Sequence, residues 1–314
     1  MPTRSLLKLG AALGATALAT TVLMASSVAA ETPDRDDRSS EHFAFHSVSF
    51  PTDPRFTQLL GINDHQLIAG YHGDENTEMT PNKGFTLQLP SSFTDENFPN
   101  SAQTQVIGID NNDDTVGFYI DQAGTTHGFL KDKGKDAVTV DLPGTTFNQL
   151  LGINNKGQAA GYYQDQQNPP LQHAYIHEKN GDFRVLGNLP MPSSQATGIN
   201  DKGDIVGFLQ QSTADTKSSG FLLKANGKLE VLNVDGSTFT QALGINDNDE
   251  VVGLYQDANG VQHGFLYEDG HFEKIDVPGS TSTVVNGLNK HEQIVGFFMD
   301  KNGNTVGFEA DPKS

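Results

Sequence analysis

The sequence contains no cysteine and no tryptophan among its 314 residues. Without cysteine the chain can form no disulfide, no thiolate metal site and no lipid attachment through a thiol. Packing and hydrogen bonds must therefore supply all of its stability. The absence of tryptophan also excludes repeats of the WD type, whose signature includes that residue.

Basic residues are scarce as well. Lysine and arginine number 20 against 39 aspartate and glutamate residues, which gives a net charge of −19 at pH 7. A chain of that charge is repelled by nucleic acids and by anionic membranes, so neither is an expected partner. The same charge favours solubility and suits divalent cations or cationic partners.

Residues 1–30 have the pattern of a secretory signal peptide. Arg4 and Lys8 precede an apolar stretch of mostly small residues, which ends in Val-Ala-Ala before Glu31. Cleavage after Ala30, or one residue earlier, would remove both basic residues and take the net charge from −19 to −21. The alternative is an uncleaved membrane anchor, which the small residues and the cleavage site disfavour. We expect export to the periplasm or the extracellular space, with no membrane span in the mature protein.

The rest of the chain divides into a leader and a repeat domain. Residues 31–41 are polar and charged, so we interpret them as a flexible acidic leader. Residues 42–314 contain six copies of one short phrase, spaced 47, 44, 46, 46 and 43 residues apart, which is typical of a repeat architecture. The copies are Gly61-Ile62-Asn63, Gly108-Ile109-Asp110, Gly152-Ile153-Asn154, Gly198-Ile199-Asn200, Gly244-Ile245-Asn246 and Gly287-Leu288-Asn289.

Two further positions recur in every repeat. A second glycine follows the first by nine residues, and a small residue followed by an aromatic one comes later. Between these marks apolar and polar residues alternate in short runs bounded by Asn, Asp and Gly, which indicates strands joined by hairpins. Each repeat resolves into four strands, and in the fifth repeat we predict them at residues 238–245, 250–255, 262–267 and 271–277.

This pattern predicts an all-β fold. A four-stranded antiparallel unit of about 45 residues, repeated six times, is typical of a six-bladed β-propeller with the Gly-Ile-Asn strand innermost. The last repeat has only three strands, while residues 45–51 match the fourth-strand pattern of residues 274–278. The N-terminal strand should therefore complete the last blade and close the ring. The competing architecture is a β-solenoid, whose coils usually need about half this length.

Three repeats carry a histidine before the aromatic mark: His127-Gly128-Phe129, His173-Ala174-Tyr175 and His263-Gly264-Phe265. Together with the Gly-Ile-Asn turn and the Ile-Val-Gly-Phe strand, they resemble the bacterial extracellular HAF-repeat family, named after its His-Ala-Phe signature. The resemblance covers roughly residues 43–308 and implies an exported, propeller-like protein without implying any particular activity. Lys83, Ser219 and Val306 depart from it at the histidine position.

The recurrent histidines are candidate metal ligands, because imidazole binds zinc and copper. However, His127, His173 and His263 lie on the third predicted strand of the second, third and fifth blades, too far from the axis to converge. We therefore expect each to pack or hydrogen-bond between neighbouring blades.

Aspartate follows the second glycine by four positions in five repeats. Carboxylates at loop tips could hold calcium, and Asp121, Asp257 and Asp300 are the candidates for it. Their loops lack the alternating acidic spacing of a calcium loop, so we expect each aspartate to hydrogen-bond the backbone of its own turn. The five residues are Asp74, Asp121, Asp165, Asp257 and Asp300.

The loops between the second and third strands vary in length, and variable loops on a rigid scaffold are where binding tends to reside. We therefore predict an interaction face at these loops. The sequence contains no phosphate-binding glycine loop, nucleophile elbow or zinc-binding helix motif that would indicate catalysis. The expected protein is a monomeric, non-catalytic binding or scaffold module, without a cofactor other than calcium, for a protein or glycan partner. The residues of this face are Asp74, Glu75, Asp121, Asp165, Asp257 and Asp300.

Two other functions stay open. One is a secreted hydrolase or lyase acting on polysaccharides, with carboxylates at the mouth of the central channel. The other is a calcium-dependent adhesion module. A converging pair of carboxylates with one of them desolvated would favour the enzyme.

Overall fold

The structure is a computed structural model that describes residues 42–73 and 81–313. The expected signal peptide and leader lie outside these residues, as do Asp74 and Glu75 of the predicted interaction face. Within the described ranges no helix is long and apolar enough to cross a membrane.

The described residues form six four-stranded antiparallel sheets, arranged as the blades of a β-propeller. Blades one to five take β2–β5, β6–β9, β10–β13, β14–β17 and β18–β21 in sequence order, and the sixth combines β22–β24 with β1. The strands are β1 (Phe43–Val48), β2 (Thr57–Ile62), β3 (Leu67–His72), β4 (Lys83–Gln88), β5 (Ser92–Asp95), β6 (Gln103–Ile109), β7 (Thr115–Ile120), β8 (Thr126–Lys131), β9 (Val138–Val140), β10 (Asn148–Ile153), β11 (Ala159–Gln164), β12 (Gln172–His177), β13 (Phe183–Val185), β14 (Ser193–Ile199), β15 (Ile205–Gln210), β16 (Ser219–Leu223), β17 (Leu229–Leu232), β18 (Phe239–Ile245), β19 (Val251–Gln256), β20 (Gln262–Glu268), β21 (His271–Ile275), β22 (Ser282–Leu288), β23 (Ile294–Met299) and β24 (Thr305–Pro312).

The first glycine of each repeat lies where neighbouring inner strands approach most closely. A Cβ atom on Gly152 would lie 2.9 Å from the Cα of Gly198, and one on Gly287 would lie 3.2 Å from the Cα of Gly61. The second contact joins the sixth blade to the first, so the ring of glycines is closed. The predicted innermost position of the Gly-Ile-Asn strand is confirmed, because only glycine permits this backbone approach.

The second glycine faces the aromatic mark across the sheet. Gly253 is the register partner of Phe265, and the same pairing occurs in every blade, with Tyr175 as the aromatic in the third. A Cβ atom on Gly253 would lie 2.0 Å from the carbonyl oxygen of Gln241 and 2.8 Å from the Phe265 ring. The two marks are therefore one packing unit, in which the aromatic ring lies over the glycine.

The core lies between successive blades. One cluster joins Val206, Leu222 and Leu232 of the fourth blade to Val251 and Phe265 of the fifth. Burial of such side chains stabilises the fold by about 1.5–3 kcal/mol each. Each blade therefore depends on its neighbours.

The N-terminal strand closes the ring as predicted. β1 pairs with β24 in antiparallel register, with Val48 opposite Gly307, and the Phe45 ring packs edge-on to Phe308 at a centroid distance of 5.7 Å. Beyond the strand, the backbone N–H of Phe50 donates to Thr57 Oγ1 of the first blade at 2.9 Å. Both chain ends thus share one sheet, and the solenoid alternative is wrong.

Candidate functional site

The ring has two faces with different loops. We call the face with the turns between first and second strands the annulus face, and the face with the second-to-third-strand loops and the blade connections the connection face. The predicted interaction residues belong to the connection face.

On the annulus face, the asparagine of the repeated phrase joins neighbouring blades. Its side-chain oxygen accepts from the backbone of its own turn, as Asn63 Oδ1 does from the N–H groups of His65 and Leu67. Its side-chain amide donates to the backbone carbonyl of the equivalent residue in the next blade. These bonds run from Asn63 to Asp110 (2.9 Å), Asn154 to Asn200 (2.9 Å), Asn200 to Asn246 (3.0 Å), Asn246 to Asn289 (3.1 Å) and Asn289 to Asn63 (3.2 Å).

Asp110 interrupts this ring of hydrogen bonds. Its carboxyl group has no N–H to donate to the Asn154 carbonyl, although it still accepts from the side-chain amide of Asn112 and from the backbone N–H groups of Asn112 and Asp114. Burial raises the pKa of Asp110 against the effect of these hydrogen bonds, and the nearby Asp114 carboxylate adds to the rise. The second blade is therefore the one place where the ring carries an unfavourable buried charge.

Replacing Asp110 with asparagine should stabilise the protein. The new amide would donate to the Asn154 carbonyl in place of the hydrogen bond that Asp110 Oδ2 accepts from Asn112 Nδ2 at 2.9 Å. Because one hydrogen bond replaces another, the gain comes from removing the buried charge, and we expect it to add about 1 kcal/mol to the free energy of unfolding. The folded-state pKa of Asp110 is raised, so the wild type loses stability as pH rises through it. The advantage of Asp110→Asn should therefore be larger at pH 7 than at pH 4, as measured by urea unfolding. Asp136→Asn is the control, because this substitution makes the same change in net charge at an exposed position. A destabilised Asp110→Asn variant, or an advantage independent of pH, would contradict this account.

Three carboxylates in the turns of the annulus face hold neighbouring blades together. Asp201 Oδ1 accepts from the backbone N–H of Asn155 at 2.8 Å, and Asp247 Oδ1 accepts from that of Asp201 at 2.8 Å. Asp64 accepts from the backbone of Lys290 and forms an ion pair with its ammonium group at 3.0 Å. Burial alone would raise the pKa of Asp64, but these contacts with Lys290 lower it overall. Asp64 is therefore not a carboxyl with the raised pKa that a general acid requires.

On the connection face, the predicted role of the recurrent aspartates is confirmed for those that the structure describes. Each accepts two backbone N–H bonds within its own loop, as Asp257 Oδ1 does from Asn259 (2.9 Å) and Val261 (2.8 Å). Asp121, Asp165 and Asp300 make the equivalent pairs of bonds. The binding role of these residues, and that of Asp74 and Glu75, stays a prediction.

The recurrent histidines lie beside these aspartates, so the expected hydrogen bonds between neighbouring blades are wrong, while packing between blades stays a prediction. His127 Nδ1 lies 2.6 Å from Asp141 and its Nε2 lies 3.5 Å from Asp121, both in the same blade. His173 pairs with Asp165 of its own loop at 2.9 Å, but it has no second carboxylate among the described residues, because the third blade has no acidic residue where the second blade has Asp141. The reason is that the loop before the third strand brings a carboxylate to this side chain, and in the second and fifth blades the end of the fourth strand brings another.

His263 repeats the arrangement in the fifth blade, 2.8 Å from Asp276 and 3.7 Å from Asp257. Burial alone would lower the pKa of His263, but the hydrogen bond to Asp276 raises it overall. Among the described residues, none of the three histidines belongs to a cluster with metal-binding geometry. Sequence reasoning missed Asp141 and Asp276 because they lie outside the recurrent marks.

The annulus face also carries a cavity of about 820 Å³ between the third and fourth blades. Isoleucine and leucine side chains form part of its wall, and the polar part is mostly basic. Its charged lining residues are Lys156, Glu178, Lys179, Arg184, Lys202 and Lys224.

Several of these basic groups have acidic partners. Arg184 pairs with Glu178 at 3.1 Å, Lys202 pairs with Asp249 at 3.1 Å, and Lys224 contacts Asp249 at 3.0 Å and Asp204 at 3.3 Å. The lining itself has five basic residues and one acidic residue, Glu178, in a chain whose net charge is −19.

Two lysines at the cavity differ from the other basic residues of its lining. Lys156 and Lys179 are exposed and form no ion pair with any described residue. This cluster could not be predicted from the repeat pattern, because its members come from separate turns of two repeats.

A converging pair of carboxylates with one of them desolvated would favour an enzyme, and Glu309 with Asp311 meets the second part of this criterion. Glu309 is 4% exposed, and burial together with the neighbouring Asp311 raises its pKa to about 7. The two groups hydrogen-bond each other on one strand, whereas the catalytic carboxyls of glycosidases lie about 5–9.5 Å apart around the sugar. No room remains between them for a glycosidic bond.

Comparison with known proteins places the fold but not the family. No family model and no curated protein matches the sequence. Among solved structures, a putative TolB from Agrobacterium tumefaciens is 11% identical, with a TM-score of 0.59 over 87% of this chain and 99% of that one. TolB from Acinetobacter baumannii is 9% identical, with a TM-score of 0.51 over 82% of this chain and 63% of that one. A mutant of the Aleuria aurantia lectin, in complex with Fucalpha1-6GlcNAc, is 12% identical, with a TM-score of 0.50 over 83% of this chain and 96% of that one.

Proposed function

We propose that this protein is an exported, non-catalytic binding module that holds an acidic segment of a partner protein in the cavity between its third and fourth blades. The observation that carries the proposal is the basic lining of this cavity in a strongly acidic chain. Complementary charge speeds encounter with a partner and selects against partners of the wrong sign. The export step rests on the signal-peptide pattern of residues 1–30.

A protein segment suits the cavity better than a sugar chain. Leu223 and Ala225 supply accessible apolar surface in the lining, and none of the lining residues is aromatic. Aromatic rings are large contact surfaces that sugar rings commonly stack on, whereas aliphatic surface bordered by lysine fits a peptide with both acidic and aliphatic side chains. Membership of the HAF-repeat family is part of the same proposal, supported by six ordered copies of its marks along the sequence.

The proposal can be tested with a fluorescein-labelled peptide of alternating glutamate and leucine. We expect the wild type to bind this peptide in the micromolar range at low salt, with affinity falling as salt rises. The double variant Lys156→Glu, Lys179→Glu should weaken binding about tenfold, a loss of about 1.4 kcal/mol. Both side chains are exposed and lack ion-pair partners among the described residues, so folding should be unaffected.

The matched control reverses two exposed lysines on the connection face, Lys217→Glu and Lys301→Glu. It makes the same change in net charge and should retain most of the affinity. Equal losses in the two double variants would show that only overall charge matters, and would contradict the proposed site. A second outcome would show that the ligand class is wrong. In that outcome the wild type binds an oligogalacturonate but not the peptide, and the Lys156→Glu, Lys179→Glu variant loses the oligogalacturonate.

A further inference from the structure

The sheet that joins the two chain ends carries a cluster of metal-ligating groups. His46 on β1 lies directly opposite Glu309 on β24, and Asp311 follows on the same face of that strand. One ligand atom from each side chain lies within 4.8 Å of the others, the only such trio of potential ligands among the described residues. Two of the ligands therefore come from one end of the chain and the third from the other.

The cluster faces the junction between the sixth and first blades. Val48, two residues after His46, packs against a cluster that contains Leu59 of the first blade and Val295 of the sixth. Val295 is also the register partner of Glu309. Glu309 is thus a carboxyl group in largely apolar surroundings, 4% exposed.

No lysine, arginine or histidine forms an ion pair with Glu309 among the residues that the structure describes. Its polar neighbours are another carboxyl, Asp311, and the imidazole of His46. A buried carboxylate without a cation is costly, and a second carboxylate beside it increases the cost. The arrangement brings together ligand atoms from two carboxyl groups and one imidazole.

A chain of hydrogen bonds from neighbouring side chains fixes the orientation of Asp311. Gln293 donates from its Nε2 to Asp311 Oδ1 at 2.7 Å, and the amide of Asn289 donates to Gln293 Oε1 at 2.8 Å. Asn289 belongs to the hydrogen-bonded ring on the annulus face. Such outer hydrogen bonds commonly orient metal ligands. Asp311 also borders a surface cavity of about 530 Å³, which gives an ion a route from solvent.

We propose that His46, Glu309 and Asp311 bind one divalent transition-metal ion of the zinc class, which fastens the N-terminal strand to the C-terminal strand. An imidazole with two carboxylates suits zinc, whereas calcium and magnesium prefer sites made of oxygen ligands alone. Three protein ligands leave a fourth tetrahedral position for water. The ion would neutralise the buried carboxylates and strengthen the closure of a ring that has no disulfide.

The test is thermal unfolding and calorimetric titration of the full chain after treatment with EDTA. Zinc should bind once per chain and, at a hundredfold excess over its dissociation constant, raise the melting temperature by about 5 °C. His46→Asn should weaken zinc binding at least tenfold and abolish most of the shift without harming the fold, because His46 is exposed. The control is His271→Asn, an exposed histidine opposite Glu268 at the edge of the fifth blade, which should retain the full shift.

Glu309→Gln provides a second and opposite signature. In EDTA it should melt no lower than the wild type, because the glutamine amide can donate to Asp311 without a shared proton and carries no charge into the buried position. With zinc the wild type should have the higher melting temperature of the two. A wild type whose melting temperature is unaffected by zinc, an unchanged zinc shift in His46→Asn, or a lost shift in His271→Asn would each overturn the proposal.

Discussion

Deleting residues 43–51 is expected to lower the melting temperature by about 10 °C or more, since 1 kcal/mol corresponds to about 2–4 °C in a domain of this size. The deletion removes β1, including buried Phe43, and leaves the backbone edge of β24 unpaired. It also removes the bond from the Phe50 backbone to Thr57 of the first blade. The loss should be visible by differential scanning calorimetry.

Two comparisons make this deletion informative. Removing residues 32–40 from the leader shortens the chain equally and should leave the melting temperature unchanged. Adding a synthetic peptide of residues 42–51 to the deleted protein should restore part of the lost stability, because the peptide can add itself as a strand to β24. An unchanged melting curve for the 43–51 deletion would contradict closure of the ring by the N-terminal strand.

Replacing Gly253 with alanine is expected to destabilise the protein by about 4 kcal/mol or more, which is the range of severe overpacking. The new methyl group would lie 2.0 Å from the carbonyl oxygen of Gln241, a backbone atom that cannot move without disturbing β18. It would also collide with the buried ring of Phe265 at 2.8 Å. Equilibrium unfolding in urea measures the loss.

The matched control for this substitution is Gly187→Ala. A Cβ atom on Gly187 would meet nothing within 4 Å, and its backbone does not adopt positive φ. That variant should stay within about 0.5 kcal/mol of the wild type. A Gly253→Ala variant as stable as Gly187→Ala would contradict the account that the Phe265 ring packs on Gly253 and that this packing requires glycine in every repeat.

The fold could be predicted from the sequence because six copies of each local signal agree. In the fifth blade the predicted strands match β18 to β21 within two residues at every end. The recurrent glycines mark close contacts of the backbone, which act at one position in every blade. Closure by the N-terminal strand followed from counting strands, because a three-stranded last repeat needs a fourth.

The site was less accessible to sequence reasoning. The turn-capping role of Asp257 is local, within four residues, and was predicted. The pairing of His263 with Asp276 joins two strands whose side chains meet only in the folded sheet, and it was missed. Lys156 and Lys179 reach one cavity from different turns, and His46 meets Glu309 from opposite chain ends. The repeat period does not reveal the last two contacts, because each occurs at a single junction between blades or between strands.

The most direct test of the proposed function is hydrogen exchange, followed by mass spectrometry, with and without the glutamate–leucine peptide. The two faces of the ring give separate signals, because their turns lie in different peptide segments. Binding in the cavity predicts slower exchange at residues 154–158, 178–184 and 202–204, around its basic lining. Slower exchange at residues 121–125 and 257–261 instead, with no change around the cavity, would place the partner on the connection face and contradict the account.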